Sequence, residues 1–546
     1  MKVLSRVSQL FQTLKHLKFE QFYYRALYRF KKPNVAADYA GAVSVKPWRW
    51  QGMAIFEQSL WDDGSVVFLN EKASIHTGEL WNSESYAKLW LYNLHYFDDL
   101  NAFNYYERQA VHYAFIDKWI AENPPCGGNG WEPYPISLRL VNWVKWFSRQ
   151  SQVKPQYLAS ICLQAQALTQ QLEYHILGNH LFANAKALTF VGCYLQCKDA
   201  EKFLDIGVKL LDREIDEQFL VDGAHFELSP MYHVILLWDL LDLIQLAKVS
   251  NNAQLLSRLD NWKTVASNAL TWLNTLLHPD GEISFFNDAA MGIAAKPHQV
   301  FSYAEQLGLS WQQKLPLLTT YRQSGYSRIE QADYSVLFDH ANVGPDFLPG
   351  HAHADTLSFE MSVGEQRLFV NSGTSLYGVS KERLRQRKTA AHNTVVVANS
   401  NSSEVWSGFR VARRAYAKLI EASTSENRAI IAASHDGYTR LKPKINHKRT
   451  LVSEPDCLVI TDDLSAAVNA DFHLHLHPDV AVVEILANEI VLQLPAGQRV
   501  KFSSSGVINV VDSTWHPQFG VSVNNKKFII SFTSTSLKST IQILKD

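Results

Sequence analysis

From about Leu89 to Leu318 the apolar residues of this chain recur at spacings of three and four. AQALTQQLEYHILGNHLFANAKALTFVGCYL and YHVILLWDLLDLIQLAKV are the clearest stretches, and this period predicts helices. Breakers at Asn123-Pro124-Pro125, Asp222-Gly223 and Pro279-Asp280-Gly281 divide the region into many of them. Many successive helices with short connections point to stacked helical hairpins, as in a solenoid or an α/α toroid. Near residue 325 the period changes. From about Tyr334, short β-branched segments such as SVLFDH, RLFVNS, NTVVVAN, CLVITDDLS and KFIISFTST alternate or run fully apolar between turn residues. Many strands without intervening helices predict an antiparallel sandwich. The expected organisation is therefore a multidomain α+β chain. It has a lead-in of basic helices and a Trp-rich stretch over 1–85, a helical domain over 86–325, and an antiparallel β-sandwich over 326–546.

Composition narrows the function. Apolar residues make up 47% of the 546 and charged residues 19%, enough for large cores. The 52 basic and 53 acidic side chains leave a formal net charge of −1. No global field attracts nucleic acid, so an acidic ligand must be held by a local cluster of Arg, Lys and His. Cys126, Cys162, Cys193, Cys197 and Cys457 are an odd, sparse set, unlike a disulfide framework. Arg6, Lys15, Lys18 and Glu20 interrupt any apolar run at the start of the chain. A cleaved signal peptide is not expected, and no membrane span is read. A cytoplasmic location is the default, with a periplasmic or membrane-associated one as the alternative. The basic, amphipathic opening segment is read first as helix packed on the next domain, and second as a peripheral membrane contact.

Four segments concentrate acid–base groups. They are LGNHLFANAKAL with Asn179 and His180, DGAHFELSPMYHVILL with His225, Glu227, Tyr232 and His233, GHAHADTLSF with His351, His353 and Asp355, and AAHNTVVV with His392 and Asn393. Each alone has an ordinary structural explanation. Together they crowd where two apolar architectures meet, a position that binding sites favour.

GNHLFANAKAL, DGAHFELSPMYH, GHAHADTLSFE followed by NSG-x-x-x-Y, and AHNTVVV resemble, in order, successive motifs of the heparinase II/III family. The resemblance runs from about Tyr92 to about Arg414 and continues more weakly to the end of the chain. It implies an incomplete α/α toroid followed by a sandwich, and β-elimination of an acidic polysaccharide or oligosaccharide next to a uronic acid. In that chemistry a base removes the C5 proton, an acid protonates the departing glycosidic oxygen, and hydrogen-bond donors neutralise the neighbouring carboxylate. By similarity Asn179 and His180 are the donors, Tyr232 is the acid and His351 the base. These roles call for a Tyr232 pKa shifted downward. Tyr232 is also an alternative base for one epimer of the uronate.

No cofactor is required for this reaction. The resemblance does raise a divalent metal, zinc or calcium, on His353, Asn371 and His392, with Asn371 standing where the family pattern most often has Asp. His392 is otherwise a candidate to face the substrate. Trp131, in WEPYPISLRLVNWVKWF, is a candidate to stack on a sugar, and Arg139 to pair with an anionic group. Arg410, Arg413 and Arg414 in EVWSGFRVARRA add local positive charge. His473, His475 and His477 alternate in FHLHLHP and are read as the polar outer face of a strand. Two other classes stay open: a glycoside hydrolase using Glu227 and Asp288, and a non-catalytic glycan-binding or assembly protein. Oligomeric state is not legible.

Overall fold

The computed structural model describes residues 2–35, 42–76 and 78–545; residues 1, 36–41 and 77 of the expected lead-in, and residue 546, lie outside that range. Helices Lys2–Leu14 and Phe19–Phe30 open the chain, followed by the short hairpin Ser65–Phe68 and Glu71–Ser74. The helical domain runs from Lys88–Tyr96 to Pro297–Gln306. Proline stands in the first turn of Pro133–Phe147, Pro155–Thr169, Pro230–Ser250 and Pro297–Gln306, where its missing N–H costs nothing.

Burial divides these helices into two rings. Gly178–Tyr194 and Pro230–Ser250 are buried nearly all round, whereas Ala200–Gln218 and Leu259–Leu276 keep a polar outer face. Pro133–Phe147 packs on Gly178–Tyr194, which packs in turn on Pro230–Ser250, so neighbours in the inner ring alternate along the sequence. That is an incomplete α/α toroid. Helices surrounded by other helices need apolar residues on every side, and outer ones on a single stripe.

The sandwich begins earlier than the alternating pattern suggests. Leu318–Tyr321 already pairs with Tyr326–Glu330 in a five-stranded antiparallel sheet, so the expected boundary at 326 cuts a hairpin. This sheet and a four-stranded one, bridged at Phe369 and Leu476, face an eight-stranded sheet. Phe338, Phe472, Ile431 and Phe502 from the three sheets share one core. The outer-face reading of the alternating histidines is corrected here. His473 and His475 are buried, because strand Ala470–His475 is central in its sheet and Thr389–Ala391 lies over it, with His475 Nε2 on the Ala390 carbonyl at 3.0 Å. Cys162 Sγ and Cys197 Sγ lie 3.4 Å apart.

The two domains are stitched by residues 285–288 of the helical half. The Phe285 N–H donates to Glu360 Oε2 (2.8 Å), and the Asn287 N–H donates to Asp355 Oδ2 (2.8 Å). The His353 N–H donates to Asn287 Oδ1 (2.9 Å). Glu360 also takes the Asn371 N–H (2.6 Å) and lies 2.9 Å from His278 Nε2, while His278 Nδ1 meets Ser362 Oγ at 2.7 Å. Burial alone would raise the Glu360 carboxyl, but His278, Arg367 and the Asn371 N–H together outweigh it and hold the pKa below its usual value.

Glu360→Ala orphans three buried donors, each costing about 1–3 kcal/mol, so a loss of at least about 3 kcal/mol is expected in urea or thermal unfolding. A depressed folded pKa stabilises the protein above the unfolded carboxylate range and loses that effect as pH falls through the folded value. The variant's stability should therefore depend less on acid pH than that of the parent chain.

Candidate active site

Asn179 and His180 sit in the first turn of helix Gly178–Tyr194. Leu177 and Gly178 precede them with φ of 72° and 57°, left-handed values that favour glycine. A Cβ on Gly178 would lie 2.5 Å from Leu348 Cδ2 and 2.9 Å from Glu227 Oε1. The glycine thus lets Glu227 and the loop before His351 close onto the helix start, where Glu227 accepts the Asn179 backbone N–H. His180 Nδ1 meets Glu173 Oε1 at 2.9 Å, and its ring packs 4.3 Å from that of Tyr134. Asn184 Nδ2 holds the other Glu173 oxygen at 3.0 Å. Burial opposes a charge on His180, yet Glu173 outweighs it, and the imidazole pKa is raised.

His351 comes from the sandwich side of the seam. Its Nδ1 lies 2.9 Å from Asp288 Oδ2, and its Nε2 lies 3.8 Å from Glu227 Oε2. Its ring stacks on Tyr232 with centroids 3.8 Å apart, and Tyr232 Oη is 3.0 Å from Tyr377 Oη. Asp288 is fully buried. Arg383 grips both of its oxygens, at 2.7 Å on Oδ2, and His353 Nε2 meets Oδ1 at 2.8 Å. Burial would raise this carboxyl, but Arg383 and the two imidazoles hold it well below the usual range. Asp288 is thus a permanent anion, so His351 carries its proton on Nδ1 and leaves Nε2 as the free lone pair.

Several expectations are corrected. The Tyr232 pKa is pushed well above its ordinary value, not down, by burial and then by Tyr377; Tyr232 is a neutral phenol here. Trp131 is 4% exposed, packs at a tilt beside Trp119 and donates Nε1–H to the Asn123 carbonyl at 3.0 Å. It is core and offers no face to a sugar. Arg139 is fully buried and donates to Gln164 Oε1 and to the His95 and Gly130 carbonyls, so no anion reaches it. Arg139 lies on the inner-ring helix Pro133–Phe147 and Trp131 on the short turn before it, placements the sequence does not reveal. His392 is buried against His353 and cannot face a substrate. Arg413 pairs with Glu404, and Arg414 with Asp346. Arg410 does stay exposed, next to Phe409, whose ring is 6.2 Å from that of His351.

Two imidazoles and a carboxylate could hold a metal: His353, Asp355 and His392, all buried, bring ligand atoms within 4.8 Å of one another. Asn371 Oδ1 accepts the Asn393 N–H at 3.0 Å, and Asp355 is the carboxylate of this group. The donor set suits a cation. His392 Nδ1 is 2.9 Å from the Lys388 carbonyl, His392 Nε2 is 3.0 Å from His353 Nδ1, and His353 Nε2 is 2.8 Å from Asp288. Each of these three contacts asks for a proton, and two neutral imidazoles supply two. A cation between the rings removes that deficit.

The motifs did not reveal the supporting residues. Tyr377 is the tyrosine of NSG-x-x-x-Y and was visible as part of a motif. Arg383, Glu173 and Tyr134 carried no sequence signal. Asp288 drew notice only as a hydrolase acid, since nothing in sequence links it to His351, 63 positions away.

Residues 65–307 match the heparinase II/III N-terminus and residues 313–544 the heparinase II/III-like C-terminal domain. A heparin-sulfate lyase of Bacteroides thetaiotaomicron is 23% identical over 450 residues, covering 72% of this chain and 60% of that protein. One from Pedobacter heparinus is 22% identical over 408 residues, covering 68% and 59%. The chain spans about 60% of the length of these curated relatives. The crystal structure of heparinase III has the same fold, with a TM-score of 0.69 at 17% identity over 96% of this chain and 88% of that one. With both halves matched, in order and across most of its length, the chain belongs to the heparinase II/III family.

Proposed function

We propose that the chain is a polysaccharide lyase that cleaves an acidic, uronate-containing glycan by β-elimination. One observation carries this reading: a base with a fixed tautomer, His351, stacks 3.8 Å from a neutral phenol, Tyr232. His351 Nε2 takes the C5 proton, the C4–O bond breaks as the C4=C5 double bond forms, and Tyr232 protonates the leaving oxygen. The imidazolium formed is stabilised by the Asp288 carboxylate on Nδ1, with Glu227 Oε2 3.8 Å from Nε2. His180, kept protonated by Glu173, and Asn179 neutralise the substrate carboxylate, the step that makes the C5 proton removable. Exposed Arg410 adds charge for an acidic chain. The relatives' name, heparin-sulfate lyase, favours the same substrate class. A hydrolase on Glu227 and Asp288 is disfavoured, because Asp288 is fully buried with its oxygens taken by Arg383, His351 and His353, and so reaches neither a water nor a sugar carbon. His353, Asp355 and His392 would hold a divalent ion such as zinc. Its charge would fix the second imidazole on Asp288, next to the one His351 uses.

Incubation with a panel of uronate-containing glycans should raise the ultraviolet absorbance of an unsaturated uronate. Tyr232→Phe and His351→Ala should each lower the rate by about 10²–10⁴. Asp288→Asn should do likewise by releasing the tautomer of His351. New reducing ends without absorbance would overturn the lyase reading.

Glu173→Gln should lower the His180 pKa. A protonated His180 then survives over a narrower range, and the alkaline limb of the kcat/KM profile should move to lower pH. An unmoved limb would remove His180 from the role of charged donor.

Metal analysis by mass spectrometry after zinc loading should find one ion per chain in the parent protein and none in His353→Ala/His392→Ala. Asp355→Asn should weaken the binding, and Asn371→Ala should leave it intact. Loss in Asn371→Ala alone would restore Asn371 as the ligand.

A further inference from the structure

Helices Lys2–Leu14 and Phe19–Phe30 face the wrong way for helices whose only role is to pack. In the first, polar groups meet the body of the protein: Ser8 Oγ accepts from Arg413 (2.7 Å), and buried Thr13 Oγ1 accepts from Trp406 Nε1 (3.1 Å). Its apolar side chains Val7, Leu10 and Phe11 are 60%, 42% and 64% exposed. In the second, buried Gln21 donates to the Phe347 carbonyl (3.2 Å), Tyr24 stacks on Tyr174, and Tyr28 Oη donates to the Leu172 carbonyl (2.7 Å). Its other face presents Phe19, Phe22, Tyr23 and Phe30, with Phe19 and Phe30 more than 80% exposed. Positions 19, 22, 23, 26 and 30 form one stripe of a helix. The pair also spans the seam. It contacts the toroid at Leu172 and Glu217, and the sandwich side at Trp406, Arg413 and Phe347, close to the loop that leads into His351.

Charge selects the occupant. Residues 2–32 hold eight Lys or Arg and one Glu in a chain whose formal net charge is −1, so the remainder is acidic. Arg6, Lys15, Arg25, Arg29, Lys31 and Lys32 are exposed around the aromatic stripe. Exposed aromatic side chains beside Lys and Arg suit a bilayer interface, where rings sit at headgroup level and cations meet anionic lipid. A second copy would bring the same positive surface against itself in a two-fold contact. Among the described residues no helix is long and apolar enough to cross a membrane, so the contact is peripheral. We propose that these two helices dock the protein on an anionic bilayer surface, which holds the seam between the domains beside the lipid. The inference stands apart from the proposed reaction.

The test is sedimentation of the full chain with vesicles of phosphatidylcholine alone, or of phosphatidylcholine and phosphatidylglycerol in equal parts. The parent protein should pellet with the anionic vesicles only, and high salt should release it. Arg29→Glu/Lys31→Glu/Lys32→Glu should weaken binding by about tenfold or more, as should Phe19→Ser/Phe22→Ser/Phe30→Ser. Both should keep the parent unfolding midpoint, since these side chains are exposed. Failure of the parent chain to pellet with anionic vesicles would overturn the proposal. So would equal binding by all three proteins, or a parent dimer in analytical ultracentrifugation that the Phe variant splits, which would assign the surface to a second copy.

Discussion

A single buried carboxylate organises this molecule. Asp288 belongs to the helical half, yet every charged partner it has in the site comes from the sandwich side: Arg383, His351 and His353. An anion buried without partners would be prohibitively costly, so Asp288 can enter the interior only when the domains meet in one relative position. The flanking backbone obeys the same register, with Phe285 on Glu360 and Asn287 on Asp355. Domain docking and site assembly are therefore one event. The geometry that fixes the His351 ring on Asp288 is the geometry that seats the toroid on the sandwich.

The periodicities made the architecture legible because inner helices, outer helices and sheet strands each leave a distinct pattern of burial. Asn179, His180, Tyr232 and His351 stood out as candidates for another reason: each lies in a motif whose polar residues interrupt an otherwise apolar stretch. Trp131 and Arg139 were misread because a Trp or Arg in a helical stretch says nothing of which side faces the cleft. Trp119, His95 and Gly130, which enclose them, are remote in sequence or unremarkable in type. Asp355 was passed over as a candidate metal donor for a similar reason. Asp355 stands two residues beyond His353, but its nearness to His392 depends on the turn that joins them to the Asn287 backbone.

The direction of the Tyr232 shift changes how the site works. A phenol made acidic by nearby cations would be poised to accept a proton. Burial against His351 and Tyr377, with the Asp288 anion nearby, does the reverse and retains its proton. Asp288 in turn makes His351 present a bare Nε2, and Glu173 favours a proton on His180. Each functional group thus has its protonation state set by a buried partner outside the reacting set, before any substrate arrives. Asp288 and Glu173 are residues whose part in the site the motifs did not disclose. They serve by being charged, buried and fixed, and many combinations of elements can supply such a group, so their positions follow from the assembled fold and leave no local mark in the chain.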